Sequence, residues 1–298
     1  MNEEVITFLG AEQNALVGTL YSPHVPTAAP LTLFMHGGGQ TRHSWSKAAA
    51  NLAEQGLVAV TLDARGHGES DWVGSKGYSF PHYCGDLLLV ATELRERFGH
   101  PPILVGASMG GISAMLAVEQ AGSEIFSAIV LVDITPRMDP AGVDRVQGFM
   151  AEKMSEGFAS VEEAAQAIAS YLPHRPKRKS LSGLRKNLRQ MDDGRFYWHW
   201  DPAFLSGPAP INSGQDTQVQ RLFEGCRKIT VPTLLVRGAR SELVSEAAAQ
   251  EFRELVPHSQ YVDVADAGHM VAGDKNDSFA AAVTAFIRDE VLLKESAT

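Results

Sequence analysis

The stretch Gly106-Ala107-Ser108-Met109-Gly110 decides the fold of this chain. It directly follows the apolar run Ile103 to Val105 and directly precedes a helical pattern. A serine between a buried strand and a helix lies on a sharp turn that exposes its hydroxyl, and the flanking glycines remove side chains that would collide there. The stretch therefore predicts a nucleophilic Ser108 at the edge of a sheet.

The composition restricts the class of protein and the class of partner. The 298 residues are 44% hydrophobic and 20% charged, which is typical of a soluble globular chain and excludes a disordered or fibrous one. A formal net charge of −9 disfavours binding to nucleic acid or to an anionic membrane. The expected partner is a small-molecule substrate, with no nucleic acid and no membrane as partners, and the oligomeric state stays open.

Two further features concern metal, cofactor and compartment. The two cysteines, Cys84 and Cys226, lie far apart in the chain, so no CxxC metal or redox motif is present. The chain begins with two acidic residues after Met1-Asn2 rather than with the basic residues of a secretory signal, and no run approaches the roughly 18 apolar residues of a membrane span. We therefore expect a cytoplasmic protein with no metal and no cofactor.

Strand and helix patterns alternate along most of the chain. The strand-like runs are Val5 to Leu9, Ala15 to Tyr21, Leu31 to Met35, Leu57 to Asp63, Ile103 to Val105, Ala128 to Val132, Val231 to Val236 and Gln260 to Val264. Several are apolar throughout, as buried parallel strands are, and helical patterns lie between the later ones, which predicts an α/β sheet. From Asp139 to about Gly225 helical patterns replace the strand signal. We therefore predict one core domain, residues 1–138 and 226–298, interrupted by a helical cap, residues 139–225.

A serine nucleophile needs a base, and the base needs an orienting acid. His269 follows the last predicted strand on a loop that can reach the turn at Ser108, so His269 is the expected base. A carboxylate must then fix the tautomer of the imidazole, and two candidates compete. Glu242 lies on the loop after the strand that ends at Val236, whereas Asp133 ends the strand before it. We favour Glu242 as the acid and keep Asp133 as the alternative.

Acyl transfer also needs hydrogen-bond donors for the oxyanion of the tetrahedral intermediate. The run His36-Gly37-Gly38-Gly39 follows a predicted strand and offers several backbone N–H groups. One of them would act together with the N–H of Met109, the residue after the nucleophile. We choose Gly38 as the donor from this run, although the residues alone do not separate the three glycines.

Taken together, the motifs resemble those of the α/β-hydrolase superfamily, in the branch that has a serine nucleophile and a helical cap. The matching motifs, each after a successive strand, are HGGG at His36, DxRGHGxS at Asp63, GxSxG at Gly106, RGxxSE at Arg237 and GH at Gly268. The resemblance spans nearly the whole chain outside the cap. It implies an eight-stranded, mostly parallel sheet flanked by helices, with the inserted helical cap over Ser108.

The resemblance also implies roles for individual residues. It assigns Ser108 as nucleophile, His269 as base, Glu242 as acid, and the amides of Gly38 and Met109 as oxyanion donors. Similar proteins more often carry aspartate at the position of Glu242, and some place the acid after the earlier strand, where Asp133 stands. Serine at the turn, instead of aspartate, excludes the epoxide hydrolases and haloalkane dehalogenases that share the neighbouring motifs.

The cap is expected to select the substrate. An aromatic run that includes Trp198 and Trp200, together with Met138, is the predicted wall of an apolar pocket over Ser108. The predicted function is a serine hydrolase that cleaves a small-to-medium ester or lactone through an acyl-enzyme intermediate, like a carboxylesterase. The alternatives are a C–C bond hydrolase, an amidase or a perhydrolase with the same triad, or a ligand-binding protein of the same fold without turnover.

Overall fold

The centre of the structure is a sheet of eight strands. The structure is a computed structural model, which describes residues 1–24, 31–173, 181–265, 267–269 and 276–292. In chain order its strands are β1 (Asn2–Leu9), β2 (Ala15–Ser22), β3 (Leu31–Met35), β4 (Val58–Leu62), β5 (Ile103–Ala107), β6 (Ala128–Val132), β7 (Leu188–Gln190), β8 (Phe196–Trp198), β9 (Thr233–Gly238) and β10 (Gln260–Val264). The sheet has the order β1-β2-β4-β3-β5-β6-β9-β10. Only the pairs β1–β2 and β2–β4 in it are antiparallel, so the predicted eight-stranded, mostly parallel sheet is confirmed.

Helices cover both faces of this sheet. In chain order the α-helices of the described residues, of which α4 to α7 do not pack on the sheet, are α1 (Ser46–Glu54), α2 (Phe80–Phe98), α3 (Met109–Ala121), α4 (Pro140–Ala151), α5 (Val161–Tyr171), α6 (Ser182–Arg185), α7 (Ala203–Ser206), α8 (Gln215–Arg227), α9 (Glu246–Leu255) and α10 (Asn276–Phe286). A π-helical segment, Ile287–Leu292, continues α10. Within the described ranges no helix combines the length and the apolar character that crossing a membrane requires.

The central strands are apolar on both faces because helices pack on each side of them. In β3, Leu33 and Met35 belong to the core cluster that includes residues of α2, α3 and α9. Phe34, between them, points to the opposite face, where α1 and α10 pack. Its ring lies 5.4 Å from that of Trp45, centroid to centroid. Successive side chains of a strand alternate between faces, so a continuous apolar run is what two covered faces require.

Three neighbouring parallel strands bring their carboxyl ends to one edge of the sheet. β5 pairs with β6, and β6 pairs with β9. The residues that follow these strands, Ser108, Asp133 and Ala239, therefore emerge side by side although they are distant in the sequence. The expected site lies at this edge.

The segment between β6 and β9 stands outside the sheet. We call residues 139–225 the insertion; it contains α4 to α7, most of α8 and the two-stranded antiparallel sheet β7–β8. It has a small apolar cluster of its own, which includes Phe158, Ala164 and Leu188. α5 begins as the sequence predicts, since the Ser160 hydroxyl accepts a hydrogen bond from the Glu163 amide at 3.2 Å.

The sequence pattern predicts a wholly helical insertion, but the structure also contains two short strands there. The aromatic run at Phe196 forms β8, which pairs with β7 in the register Leu188 to Trp198. Both strands have only three residues, which is too short for an alternating pattern to be recognised. The prediction of helices alone is therefore wrong for this part of the insertion.

A prediction about stability follows from the contact between α8 and α3. A Cβ added to Gly225 of α8 would lie 2.1 Å from the backbone oxygen of Met115 in α3. Since neither backbone can move away cheaply, Gly225→Ala should lower the free energy of unfolding by about 1–3 kcal/mol. Gly148→Ala is the matched control, because an added Cβ at Gly148 in α4 meets nothing within 4 Å. Urea denaturation of both variants should show loss for the first and an unchanged or raised stability for the second; equal stabilities would contradict the packing.

Candidate active site

Ser108 lies on a strained turn that close backbone packing enforces. Its φ of 45° and ψ of −111° are unusual for a residue with a side chain and cost about 1–3 kcal/mol. A Cβ on Gly106 would lie 2.8 Å from the backbone of Gly110, and a Cβ on Gly110 would lie 2.6 Å from the carbonyl oxygen of Met35. Only glycine fits where β5, α3 and β3 approach so closely, and the serine between them stays partly exposed.

Asp133 is the carboxylate that the structure pairs with His269. Its side chain is fully buried directly after β6. One oxygen, Oδ2, accepts hydrogen bonds from His269 Nδ1 at 2.8 Å and from the Ser241 hydroxyl at 2.6 Å. The other, Oδ1, accepts from the Gly238 amide at 2.9 Å. Because Nδ1 carries the proton shared with the carboxylate, the other ring nitrogen, Nε2, is left as a proton acceptor.

The loop that carries His269 is held against the end of β9. A Cβ on Gly238 would lie 2.3 Å from the carbonyl oxygen of Gly268 and 2.7 Å from that of Ala267. The Arg240 amide also donates to the Ala267 carbonyl at 2.8 Å. The glycine of the RGxxSE motif thus allows the histidine loop to pass over the strand end. This approach places the imidazole beside Asp133, one strand away.

Glu242 binds the insertion instead. Its two carboxylate oxygens accept hydrogen bonds from the Tyr171 hydroxyl at 2.9 Å and from Arg145 at 2.8 Å. Burial and the neighbouring carboxylate raise the pKa of Tyr171. The preference for a Glu242–His269 pair is therefore not what the geometry shows, and the alternative, Asp133, occupies that place. The signal available in the sequence is the aspartate that directly follows the apolar run of β6.

The glycine run after β3 is held by three buried histidines, one for each of three successive peptide groups. His36 Nδ1 donates to the Gly37 carbonyl at 2.8 Å. The Gly39 amide donates to His67 Nε2 at 3.1 Å, and His199 Nε2 donates to the Gly39 carbonyl at 3.3 Å.

The amides of the run differ in their partners. The Gly37 amide donates to the Gln40 side chain at 3.3 Å, and the Gly39 amide is taken by His67. Among the described residues the Gly38 amide has no hydrogen-bond partner. Met109 is the first residue of α3, where an N–H has no acceptor within its own helix. Among the described residues, the N–H groups of Gly38 and Met109, the two donors expected from the sequence, therefore have no acceptor.

Each of these three imidazoles accepts a backbone N–H on one ring nitrogen, which only the neutral ring can do. Burial lowers the pKa of His36, lowers that of His67 well below its usual range, and lowers that of His199 to about 3. Their other ring nitrogens fix the tautomers, since His36 Nε2 accepts from the Ala64 amide at 3.0 Å and His199 Nδ1 from the Gly68 amide at 2.7 Å. The sequence does not indicate that His67 and His199 bind the glycine run, because hydrogen bonds to backbone groups leave no spacing pattern.

The predicted pocket residues have different surroundings. Trp200 is buried in an apolar cluster that contains Met109, Met150 and Phe204, and this cluster lies against the glycine run. A Cβ on Gly38 would be 3.2 Å from the ring of Phe204, and one on Gly39 would be 2.8 Å from Met150 Cε.

The other two predicted pocket residues lie farther out. Trp198 packs edge-on against Phe158, with ring centroids 5.0 Å apart, and joins the apolar cluster of the insertion to the one at the glycine run. Met138 packs against the main core and lines a surface groove of about 610 Å³ beside α9. Phe204 and Met150 lie nearest to Gly38, with ring and methyl atoms 3.2 Å and 3.9 Å from a Cβ built there.

Comparison with known proteins agrees with this fold. A family model described as the alpha/beta hydrolase fold matches residues 30–275. An esterase of Mycobacterium tuberculosis is 28% identical over 257 residues, which cover 83% of this chain and 79% of the esterase. An sn-1-specific diacylglycerol lipase of Mus musculus is 31% identical over 280 residues, with 87% of this chain and 81% of the lipase covered. The crystal structure of an alpha/beta hydrolase from Novosphingobium aromaticivorans superposes with a TM-score of 0.80 at 21% identity, covering 96% of this chain and 98% of that one.

The chain therefore belongs to the α/β-hydrolase family. The family model extends over most of the sheet and over the whole insertion, and the superposition reaches nearly all of both chains. The resemblance to the α/β-hydrolase superfamily, drawn from the five sequence motifs, is confirmed.

The buried neutral histidines predict how stability depends on pH. Unfolded histidine has a pKa of about 6.5, so below that pH the unfolded chain takes up a proton that His199, with a folded pKa of about 3, does not. The free energy of unfolding should thus fall as the pH falls from about 6.5, by up to about 1.4 kcal/mol per pH unit for each such histidine. His199→Gln should reduce the number of protons taken up on unfolding by about one. The free energy of unfolding, measured by urea denaturation between pH 7.5 and 5, should then depend less on pH. Tyr197→Phe is the control that should leave the slope unchanged, and an equal slope in the histidine variant would contradict the assignment.

Proposed function

We propose that this protein is a serine hydrolase that cleaves an uncharged ester or lactone of small to medium size through an acyl-enzyme intermediate. The observation that carries the proposal is the hydrogen bond of 2.8 Å between His269 and the buried Asp133, at the sheet edge where Ser108 stands on its strained turn. A carboxylate in this position orients the imidazole and stabilises its charged form during catalysis.

The proposed reaction has two halves, the acylation of Ser108 and the hydrolysis of the acyl-enzyme, and His269 moves a proton in both. His269 Nε2 takes the proton of Ser108 Oγ as the oxygen attacks the ester carbonyl. The amides of Gly38 and Met109 donate to the oxyanion that forms. The C–O bond to the alcohol then breaks, and the alcohol leaves with the proton from His269. A water molecule, deprotonated by His269, attacks the acyl group and releases the acid and Ser108.

The surroundings of the glycine run support an apolar acyl group. Met150, Trp200 and Phe204 come from the insertion and form a buried apolar surface next to Gly38 and Gly39. Such a surface binds hydrocarbon better than charge. The similarity to an esterase and to a diacylglycerol lipase also favours ester cleavage.

The proposal includes a cap role for the insertion. Residues 139–225 would cover the site of a core formed by residues 1–138 and 226–298. The contacts of Glu242 with Arg145 and Tyr171 support this, because they tie the insertion to a loop beside the triad.

The proposed partner is a small-molecule substrate in a reducing, cytoplasmic compartment. Cys84 and Cys226 are both free and buried, and burial raises the pKa of the Cys84 thiol to about 11. A buried thiol that stays protonated reacts slowly with oxidants. Two free cysteines of this kind are compatible with the proposed reducing compartment.

Replacement of the nucleophile tests the function directly. Ser108→Ala should reduce the turnover of p-nitrophenyl butyrate on the order of a thousandfold or more, because no acyl-enzyme can form. The wild-type protein should also be labelled stoichiometrically by a fluorophosphonate, and the variant should not. Ser206→Ala is the control, since Ser206 is exposed and its hydroxyl donates to the Pro202 carbonyl at 3.0 Å. Absence of labelling in the wild type would contradict the hydrolase and favour a ligand-binding protein.

A pair of isosteric variants distinguishes the two acids. Asp133→Asn should lower kcat by about 10³- to 10⁴-fold, because an amide cannot hold the imidazole in the productive tautomer. Glu242→Gln removes only a partly exposed contact with the insertion, so kcat should stay within about fivefold of the wild type. Both variants are checked for folding by circular dichroism before ester turnover is measured. The opposite pattern, with the larger loss at Glu242, would restore Glu242 as the acid.

A further inference from the structure

His199 is the one of the three histidines around the glycine run that comes from the insertion. It follows β8 directly and is buried, with 2% of its surface exposed. Its two ring nitrogens contact two loops of the core. Nδ1 accepts from the Gly68 amide at 2.7 Å, and Nε2 donates to the Gly39 carbonyl at 3.3 Å. Both contacts require the neutral ring with its proton on Nε2.

The peptide group that His199 holds is part of a short turn around Gly38. The Gln40 amide, in the same peptide group as the Gly39 carbonyl, donates to the Gly37 carbonyl at 3.2 Å. That carbonyl shares its peptide group with the Gly38 amide, so a rotation at Gly39 would be passed to the Gly38 N–H. Gly39 itself has a φ of 73°, a region that a glycine can easily leave.

The other two histidines do not bind this last peptide group. His36 binds the Gly37 carbonyl and His67 binds the Gly39 amide, so both act on the first two peptide groups of the run. His67 and His199 also lie against each other, with ring centroids 5.8 Å apart. With the imidazole of His199 from the insertion, each of the three successive peptide groups of the glycine run is bound by one histidine.

We infer that His199 is a positioning residue for the oxyanion site: it fixes the Gly39 carbonyl and thereby aims the Gly38 amide at the oxyanion. This inference rests on the proposed hydrolase function. It makes the insertion a part of the catalytic geometry in addition to a cover for the substrate. The expected effect lies on kcat, since the oxyanion exists only in the transition state and in the intermediates on either side of the acyl-enzyme.

Two amide variants separate the two contacts of the ring. The side-chain amide of Gln reaches the place of Nε2 and can donate to the Gly39 carbonyl, whereas the shorter Asn places its oxygen near Nδ1 and can only accept from Gly68. We expect His199→Asn to lower kcat by about 10- to 100-fold with KM within about threefold, and His199→Gln to keep kcat within about threefold. Tyr197→Phe is the control that should change neither constant, because Tyr197 lies in β8 two residues before His199 and its hydroxyl donates to the exposed Asp193 at 2.8 Å.

The measurement is p-nitrophenyl butyrate hydrolysis at pH 7.5, normalised to active sites titrated with a fluorophosphonate. A purely structural role predicts similar kcat values in the two amide variants, with losses that follow thermal stability; this result would overturn the inference. A wild-type protein that neither turns over esters nor takes up the probe would overturn the proposed function and the inference together. A normal wild type with equal amide variants would overturn the inference alone.

A second measurement does not depend on the folding of any variant. Nitrogen-15 spectra of histidine-labelled wild-type protein report which ring nitrogen carries the proton. The inference requires the proton of His199 on Nε2, and a shift of that signal when a trifluoromethyl ketone forms a tetrahedral adduct on Ser108. A proton on Nδ1, or a signal that the adduct leaves unchanged, would overturn it.

Discussion

The site depends on one buried carboxylate. Asp133 has no exposed surface, so its charge is acceptable only while other groups of the chain donate hydrogen bonds to it. Its donors come from the end of β9, from the loop after that strand and from the loop after β10. These three segments are brought together only when the parallel strands β6, β9 and β10 lie in register. The placement of His269 beside Asp133 therefore depends on the order of the sheet.

The parts of the fold that could be predicted from the sequence are those with a local physical signature. Buried parallel strands are continuous apolar runs, and the turn at Ser108 needs glycines because three backbones meet there. His269 could be found because it lies on the loop after the last predicted strand, and such a loop can reach the turn at Ser108. Each of these signals lies within a few consecutive residues.

The parts that could not be predicted depend on distances between remote segments. Glu242 and Asp133 both follow sheet strands, and only the three-dimensional structure shows that one faces His269 while the other faces Arg145 and Tyr171. The strands β7 and β8 are too short to show a period. His199 stands within an aromatic run whose composition suggests a pocket wall, whereas its ring binds two backbone groups of the core.

The pair of contacts made by His199 has a consequence for protein engineering. Exchange of the segment between two neighbouring strands is an attractive way to give one hydrolase the substrate range of another, because loops and insertions carry much of the specificity. In this chain the exchanged segment would also remove a hydrogen bond from the glycine turn of the recipient. The replacement segment would need to place a neutral imidazole at the position of His199. Substrate specificity therefore cannot be exchanged with this segment unless that contact with the glycine turn is kept.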